Sequence, residues 1–376
     1  MDSKTDVTVY IGRFNPFHNG HAHVLRKALE TSKLTIVLVG SSDQARSLKN
    51  PFTFLERKDM IHKWFHSQLA VQHSQLWSSR AVVILPLRDY PYNDALWIRQ
   101  VQRIVKQQIL ENFDISSTPS ISITGADRDE STWYLNAFPQ WSQSLVQPYV
   151  QDSSISVSAT QIRDWLFGET VDLEHVGQMN RMIPKTTLSY LNKFSETSDY
   201  LQLAQEHAFV KKYRAGWDAA PYPPTFVTVD AVVVQSGHVL VVRRGAEPGK
   251  GLWALPGGFV NQQEKLRAAA IRELVEETGI RLAEGKKAKE LTKQILNGSI
   301  RESATFDKPD RDLRGRTITT AFLFRLDDTK PLPKVKGMDD AADAFWIPIN
   351  DALDMTDKWY ADHNAILETM VAYKDI

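Results

Sequence analysis

Apolar positions in the first hundred residues alternate between the spacing of strands and the spacing of helices. Residues 7–11 and 34–40 are continuous apolar runs, whereas residues 21–32 carry apolar side chains three and four positions apart. A strand, a helix and a second strand in this order predict a βαβ unit with parallel strands. Similar runs at 81–85 and 120–125 extend the sheet. The first half is therefore predicted to have a doubly wound α/β fold.

The pattern changes in the middle of the chain. Residues 171–217 have a polar, helical pattern, and residues 221–224 contain three prolines, which cannot continue a helix. A domain boundary is therefore expected in this region. We predict a first domain over 1–185, a helical and proline-rich linker over 186–224, and a second domain over 225–376.

The second half begins with two β-rich runs. Residues 227–234 and 238–243 are separated by a Ser-Gly pair, which predicts a hairpin. One marked helix follows, and later runs at 317–326 and 344–349 predict further strands. Strands mixed with a helix in this order predict an α+β domain.

Composition narrows the classes of chemistry. The chain has 376 residues, 42% hydrophobic and 24% charged, which suits two or three globular domains. Its 45 basic and 45 acidic residues cancel, so neither a nucleic-acid nor an anionic-membrane partner is expected. The absence of cysteine excludes disulfides, thiolate metal sites and cysteine nucleophiles. Because no signal-like or membrane-spanning apolar segment occurs, we expect a cytoplasmic protein, and homo-oligomer formation is left open.

A candidate phosphate site follows the first predicted strand, in the sequence GRFNPFHNGH. At such a turn an α/β fold presents free backbone N–H groups and the positive end of a helix to an anion. His18 and His21 lie three positions apart and project the same way from the start of a helix. Arg13 adds a fork of donors suited to phosphate, while Gly12 and Gly20 permit close approach of the backbone. An isolated histidine pair would more simply be a surface feature.

The whole ten-residue arrangement resembles the G-x-F-x-P-x-H-x-G-H motif of the nucleotidyltransferase superfamily, which adenylates or cytidylates phosphorylated acceptors. The segment Ser158-Ala159-Thr160-Gln161-Ile162-Arg163 is similar to the I-S-x-T-x-I-R element of the same superfamily. By itself that segment is merely a helix N-cap. The resemblance implies that the catalytic groups of a Rossmann-like nucleotidyltransferase domain are His18, His21 and Arg163.

A third segment indicates which phosphorylated acceptor the first domain uses. Residues 125–141 resemble the G-x-x-K-D-x-S-S-Y-Y-L…F-P-x-W region of archaeal-type nicotinamide mononucleotide (NMN) adenylyltransferases, with Arg128 in place of the usual lysine. The implied ATP- and phosphate-binding residues are Gly12, Arg13, Phe14, Gly20, Gly125, Asp127, Arg128, Ser158 and Thr160. The implied NMN-binding residues are Asp89, Asn93 and Trp97. A tryptophan can stack on a nicotinamide ring, but Trp97 fits a core position on an amphipathic helix equally well.

Without cysteine or another nucleophile in the motif, the simplest reaction in the first domain is direct attack. The acceptor phosphate would attack the α-phosphorus of ATP and release pyrophosphate, while the two histidines, Arg163 and Mg²⁺ stabilise the phosphate charges.

A carboxylate-rich helix is predicted in the second half. At about 100° per residue the carboxylates share one face, and they are Glu273, Glu276 and Glu277. The opposite face is apolar and carries Ala268, Ile271 and Val275. Three adjacent carboxylates repel one another unless cations neutralise them, and oxygen ligands favour Mg²⁺ or Mn²⁺. A solvated charged face is the simpler interpretation of such a helix taken alone.

Fixed positions around that helix resemble the Nudix box, G-x5-E-x7-R-E-U-x-E-E-x-G-U, at every defined position from Gly258 to Ile280. The box implies attack by metal-activated water on a diphosphate linkage. Its implied catalytic residues are Arg272, Glu273, Glu276 and Glu277, and its implied metal ligands are Gly258 and the three glutamates. Arg272 is expected to hold Glu264 or a neighbouring carboxylate, and Gly279 to end the helix. The general base stays open among the three glutamates and residues after 296.

Flanking segments, including residues 252–260 and 306–319, look like the ADP-ribose pyrophosphatase branch. The implied ADP-ribose-binding residues are Arg243, Gly257, Gly258, Phe259, Arg311 and Arg316. Residue by residue, the arginines at 311, 314 and 316 are equally well explained as an exposed charged loop.

Taken in order, the two motif sets resemble the bifunctional NMN adenylyltransferase/Nudix hydrolase family. The resemblance implies NAD synthesis from ATP and NMN, followed along the chain by hydrolysis of ADP-ribose to AMP and ribose 5-phosphate. One alternative is a Nudix domain that senses ADP-ribose or another nucleotide without hydrolysis, although such regulators carry a degraded box and a basic helix. Another is a first domain that acts on a different phosphorylated acceptor.

Overall fold

The structure is a computed structural model of the chain that describes residues 5–71, 81–114, 118–126, 130–151, 155–168 and 173–372. The chain divides into two compact units, Met1–Gln205 and Glu206–Ile376. This division falls inside the region predicted as a linker, where the chain is helical on both sides of the division.

The first unit is built on a five-stranded sheet in which every pair of neighbouring strands is parallel, in the order β3-β2-β1-β4-β5. The strands are β1 (Thr5–Gly12), β2 (Ser32–Val39), β3 (Ala81–Pro86), β4 (Ile121–Ala126) and β5 (Ser142–Val146). The predicted parallel α/β sheet is confirmed. Strand β5 was not predicted because it begins Ser-Gln-Ser and lacks an apolar run.

Helices lie between and after these strands along the chain. They are α1 (Asn19–Thr31), α2 (Phe54–Val71), α3 (Asp94–Asn112), α4 (Ala159–Phe167), α5 (Leu173–Met182), α6 (Lys185–Phe194) and α7 (Ser198–Ala215), with a 3-10 helix at Glu130–Asn136 and a small ribbon of β6 (Val150–Gln151) and β7 (Ile155–Ser156). Fully buried strand residues such as Val9 and Ile36 pack with Val101 and Val105 of α3. The order of strands reverses between β1 and β4, and α/β folds bind ligands at the carboxyl edge beside such a reversal.

The second unit contains a seven-stranded mixed sheet. Its strands are β8 (Thr225–Gln235), β9 (His238–Arg244), β10 (Trp253–Ala254), β11 (Gly257–Phe259), β12 (Ile300–Phe306), β13 (Arg316–Arg325) and β14 (Ala341–Pro348). Strands β8 and β13 are parallel, while β8 and β9 form the predicted antiparallel hairpin. The helices are α8 (Leu266–Thr278), α9 (Ala288–Ser299), α10 (Ile349–Asp354) and α11 (His363–Ala372). The α+β prediction is confirmed.

Helix α8 is the predicted carboxylate helix, and Gly279 ends it in a left-handed conformation, as expected. Its packing face differs from the prediction. Ala268 is exposed, whereas Ala270, Ile271 and Leu274 are buried in the core. The buried face of α8 includes Glu277. This helix is therefore not divided simply into an apolar half and a charged half.

Among the described residues, no helix combines the length and the apolar character needed to cross a membrane.

Candidate active sites

The two histidines of the first candidate site form the start of α1. His18 is the N-cap residue, and its Nδ1 accepts the backbone N–H of His21 at 3.4 Å. In return, Nδ1 of His21 accepts the backbone N–H of His18 at 3.3 Å. The two rings stack with centroids 3.6 Å apart. Because each Nδ1 accepts a hydrogen bond, each neutral ring carries its proton on Nε2 and presents an N–H donor there.

The backbone of this turn is held in an unusual conformation. Phe14 has a φ of 53°, which is strained for a bulky residue, and its ring is buried. The ring packs edge-on against His21, with centroids 4.9 Å apart. A Cβ at Gly12 would lie 2.8 Å from the Phe14 ring, so only glycine fits between β1 and this ring. Phe14 thus supports the histidine pair from behind.

Arg163 joins the same site from α4. Its Nη1 donates to the carbonyl of Asn15 at 2.7 Å, and its Nη2 donates to Oγ1 of Thr160 at 3.1 Å. Burial lowers the pKa of Arg163 to about 10, and the charge of Arg13 adds to this effect. The guanidinium therefore stays charged at neutral pH while lacking an ion-pair partner among the described residues. Such a buried cation favours an anionic ligand.

A cavity of about 240 Å³ brings most of the predicted phosphate residues together. The predicted residues that line it are Gly12, Arg13, Phe14, His18, Gly20, His21, Ser158, Thr160 and Arg163. Ser158 is the N-cap of α4 and makes no side-chain capping hydrogen bond. Gly125 is buried beneath the cavity wall, next to Leu135. Asp127 and Arg128 lie outside the described residues.

The predicted NMN-binding residues do not line this cavity. The Asp89 carboxylate accepts hydrogen bonds from the backbone N–H and hydroxyl of Ser41, at 3.1 and 2.5 Å. Asn93 is the N-cap of α3, and its Oδ1 accepts the N–H of Leu96 at 3.0 Å. Trp97 is half-buried and packs against the aromatic residues Trp133, Tyr134 and Phe138. Each of the three residues therefore has a structural role in this unit.

In the second candidate site, Arg272 holds three carboxylates. Its Nη2 lies 2.8 Å from Oε2 of Glu264, and its Nη1 lies 2.8 Å from Oε1 of Glu273 and 3.1 Å from Oε2 of Glu276. Nη2 also donates to the carbonyl of Phe259 at 3.1 Å. The expected contact between Arg272 and Glu264 is present. One guanidinium thus offsets much of the repulsion that the sequence predicted.

Glu277 is the most deeply buried of the acidic residues on α8. Its Oε2 accepts the backbone N–H of Gly257 at 2.9 Å. Burial raises the pKa of Glu277 to about 8, and burial also raises the pKa of Glu273. A Cβ at Gly258 would lie 2.7 Å from Oε1 of Glu273, so a larger residue here would displace that carboxylate. Buried carboxylates with raised pKa values gain from a nearby cation.

Arg272, Glu273 and Glu277 line a cavity of about 360 Å³. Its lining includes the predicted residues Gly257, Gly258, Phe259, Arg272, Glu273, Glu277 and Arg311. Arg311 is buried in a two-bond ion pair with Asp362, both contacts being 2.9 Å. Arg314 pairs with Asp312 at 2.7 Å and lies over the Phe259 ring. The exposed-loop interpretation therefore does not hold for Arg311 or Arg314.

Two predicted ADP-ribose residues lie away from this cavity. Arg243 is exposed and lies over the Phe345 ring, while Arg244 lines the cavity in its place. Adjacent strand residues point to opposite faces, so Arg244 faces the cavity and the predicted Arg243 faces away from it. Arg316 donates through Nη1 to the carbonyl of Asp307 and is also absent from the lining. Glu276 likewise lies outside the lining, with 47% of its side chain exposed.

Comparisons with known proteins match both parts of the chain. The cytidylyltransferase-like family model matches residues 9–164, and the NUDIX domain model matches residues 224–370. A crystal structure of a bifunctional NMN adenylyltransferase/ADP-ribose pyrophosphatase from Francisella tularensis, complexed with AMP and a Mn ion, is 35% identical to this chain. The similarity covers 98% of this chain and 99% of that chain, with a TM-score of 0.81. This chain belongs to that bifunctional family.

Relatives that are each named for one of the two activities match the two halves of this chain. A nicotinamide/nicotinic acid mononucleotide adenylyltransferase of Acinetobacter baylyi is 30% identical over 212 residues, which is 56% of this chain and 95% of the relative. An ADP-ribose pyrophosphatase of Methanocaldococcus jannaschii is 30% identical over 166 residues, which is 44% of this chain and 81% of the relative.

In this chain the carboxylates predicted as metal ligands do not converge on one point. Within the described ranges, no three His, Asp or Glu side chains are placed to hold one metal ion. Glu273 and Glu276 both point to Arg272, while Glu277 points to the backbone of Gly257. The donor set still fits a hard divalent cation, because it consists of carboxylates, of which Glu273 and Glu277 have raised pKa values.

Sequence reasoning missed a buried arginine below the first site. Arg57 of α2 is 1% exposed and donates through Nη1 to the carbonyls of Arg13 and Gly40, both at 2.7 Å. Its Nη2 donates to the carbonyl of Ser41 at 2.9 Å. Burial lowers the pKa of Arg57 to about 10. This residue ties the loop after β1 to the loop after β2, and no motif or spacing in the sequence pointed to it.

Proposed function

We propose that the chain is a bifunctional enzyme of NAD metabolism. The first unit transfers the adenylyl group of ATP to NMN, which gives NAD and pyrophosphate. The second unit hydrolyses ADP-ribose to AMP and ribose 5-phosphate. The observation that carries this proposal is the match, over nearly the full length of both chains, to a structure described as a bifunctional NMN adenylyltransferase/ADP-ribose pyrophosphatase. We assign one activity to the cavity of each unit.

In the first unit, a phosphate oxygen of NMN attacks the α-phosphorus of ATP. The new P–O bond forms as the bond to the β-phosphate bridging oxygen breaks, and the electron pair leaves with pyrophosphate. His18 and His21 donate from Nε2 to phosphate oxygens, and the charge of Arg163 faces the same cavity. Arg13, Ser158 and the backbone near Gly20 complete the phosphate cradle, with Asp127 and Arg128 proposed to extend it.

The acceptor is proposed to bind beside this cavity. Trp97, close to the exposed ring of Trp133, supplies an aromatic surface for the nicotinamide ring. Asp89 and Asn93 occupy neighbouring loop positions, where they hold the backbone that surrounds the acceptor. In this proposal Asp89 is a positioning residue as much as a ligand, because Ser41 already occupies its carboxylate.

In the second unit, a water oxygen attacks one phosphorus of the diphosphate, and the bridging P–O bond breaks. When bound, Mg²⁺ or Mn²⁺ lowers the pKa of that water and offsets negative charge on the diphosphate. Glu273, Glu276 and Glu277 are the proposed ligands together with the backbone of Gly258. The water proton passes to a carboxylate of this site.

The same cavity contains groups suited to the rest of ADP-ribose. Arg244 and Arg311 line it, and Phe259 presents a partly exposed ring beneath Arg314. We assign diphosphate and ribose contacts to these residues and place Arg243 and Arg316 outside the binding surface. Since all carboxylates of the box are present, a domain that only senses nucleotides is not favoured.

One enzyme preparation assayed for both products tests the proposal. Wild type is expected to form NAD from ATP and NMN and to release AMP from ADP-ribose with a divalent cation. His18→Ala should abolish only NAD formation, whereas Glu276→Gln/Glu277→Gln should abolish only hydrolysis. Each variant serves as the folding control for the other. If either variant lost both activities while folded, or neither activity, the two-site assignment would be wrong.

A further inference from the structure

The second unit carries a groove that shares no lining residue with the hydrolase cavity. It encloses about 1280 Å³ between the segment after α8, helix α9 and the segment that leads into β14. Typical small-molecule sites enclose roughly 300–1000 Å³, so this groove has room for a ligand of dinucleotide size.

The groove is strongly cationic, although the whole chain has zero net charge. Two acidic residues, Glu284 and Asp327, also line it. The six cationic residues that line it are Arg281, Arg301, Arg325, Lys330, Lys334 and Lys336. Arg325 and Lys330 have acidic neighbours at 3.6 and 3.5 Å. The other four have no ion-pair partner in the described part of the chain, so the groove holds an excess of uncompensated positive charge.

An apolar surface lies beside these cations. Ile295 and Met338 line the groove and are 45% and 51% exposed, which is high for large apolar side chains. Leu282, Val335 and Pro333 continue the same surface. A planar base gains from covering such a surface, while phosphates gain from the surrounding cations.

The wall of the groove is anchored at both ends. Nε2 of the buried Gln235 donates to the carbonyls of Asp327 and Lys330, at 2.9 and 2.8 Å. At the other end, the N–H of Lys336 donates to the carbonyl of Thr278, and the N–H of Met338 donates to the carbonyl of Glu277, both at 2.9 Å. The cations near this segment are therefore carried on a fixed backbone, which lowers the entropy lost when a ligand binds.

We propose that this groove is a second nucleotide-binding site, with the base on the apolar surface and two or more phosphate charges among the cations. A mononucleotide triphosphate and a dinucleotide share this chemistry. A polynucleotide is a poorer fit, because it needs cations along an extended path and the chain as a whole is electrically neutral.

Photolabelling of the full chain with an azido derivative of ATP tests this proposal. Labelling of peptides that contain Ile295 or Met338 should reach a plateau as the concentration of the probe rises. Unlabelled ATP or NAD should compete, and the stronger competitor identifies the source of the nucleotide. Adenosine should compete at least about tenfold more weakly than ATP, because it lacks the phosphate charges. Labelled peptides from the first catalytic cavity, for which ATP is the proposed substrate, provide an internal standard.

The matched variants are Arg281→Glu/Lys334→Glu and, as control, Lys289→Glu, which carries a charge reversal on α9 outside the groove lining. The double variant should weaken groove labelling about tenfold or more, and the control should label as wild type does. Thermal unfolding confirms that each variant is folded. Unsaturable labelling, labelling unaffected by the double variant, or stronger competition by single-stranded DNA than by ATP would each overturn the proposal.

Discussion

The two candidate sites are dominated by side chains of different charge. In the first, histidine rings and arginines are fixed by backbone contacts, as His18 and His21 cap a helix while Arg163 donates to a carbonyl. In the second, three carboxylates are held by one arginine, Arg272. The difference teaches that the two sites need different help to accept a phosphate. The first offers arginines and histidine N–H donors directly, whereas the carboxylates of the second repel a phosphate unless a cation lies beside them.

The strongest test of the first site is Arg163→Ala. We expect adenylyl transfer to fall about 10²- to 10³-fold in kcat, because a buried charge facing the phosphates is lost. Hydrolysis of ADP-ribose should be unchanged. Arg163→Lys is the matched control and should recover part of the rate, since it keeps the charge but not both hydrogen bonds. Equal kcat values for Arg163→Ala and wild type would remove Arg163 from the site.

Next in size is Arg272→Ala, which removes the charge that holds three carboxylates. We expect ADP-ribose hydrolysis to fall about 10²-fold, because Glu264, Glu273 and Glu276 lose their common partner. The concentration of metal ion needed for half-maximal activity should shift in the same variant. If Arg272→Ala hydrolysed ADP-ribose at the wild-type rate with wild-type metal dependence, Arg272 would have no part in the hydrolase site.

Arg57→Met tests how the first site is supported. The variant leaves the carbonyls of Arg13, Gly40 and Ser41 without their donor, which should cost about 2–3 kcal/mol of unfolding free energy. Urea unfolding measures this loss. The neighbouring exposed Lys58→Met is the control and should change stability by less than about 0.5 kcal/mol. A stability loss confined to the control would contradict the supporting role.

The smallest expected effect is pH-dependent and involves Glu56 of α2. Burial raises the pKa of Glu56, but hydrogen bonds from Arg46, Tyr190 and Thr53 outweigh it and bring the pKa to about 2. A lowered pKa means that the carboxylate adds stability above the unfolded-state pKa of 4.5, and that this stability is lost as pH falls towards 2. Glu56→Gln should therefore cost about 1–2 kcal/mol at pH 7 and less at pH 3.

Unfolding curves for Glu56→Gln at pH 7, 4.5 and 3 check the direction. The exposed pair of Asp59 with Lys63 provides the control variant Asp59→Asn, for which little change is expected at any of these pH values. A stability gap that widened as pH fell would show that the sign of the Glu56 contribution is wrong.

The sequence predicted the central strands of both sheets because these strands are long, apolar runs, and it missed short or polar strands such as β5. It predicted the histidine pair because helix geometry fixes a spacing of three. It could not predict side chains whose role depends on distant backbone. Arg57 contacts carbonyls of two loops far from it in sequence, and Arg244 differs from Arg243 only by the face of β9 that it occupies. Ala268 was wrongly predicted on the packing face of α8, because the buried face of this helix is not directly opposite the carboxylates.

The reciprocal hydrogen bonds between His18 and His21 have a consequence for measurement. Each ring nitrogen protects one backbone amide, so these two amides exchange their hydrogens only when the first turn of α1 opens. A ligand that holds the rings from the Nε2 side also keeps that turn closed. Slower amide hydrogen exchange at residues 18 and 21 would thus report occupancy of the first cavity by ATP alone, before any acceptor is present and without any turnover.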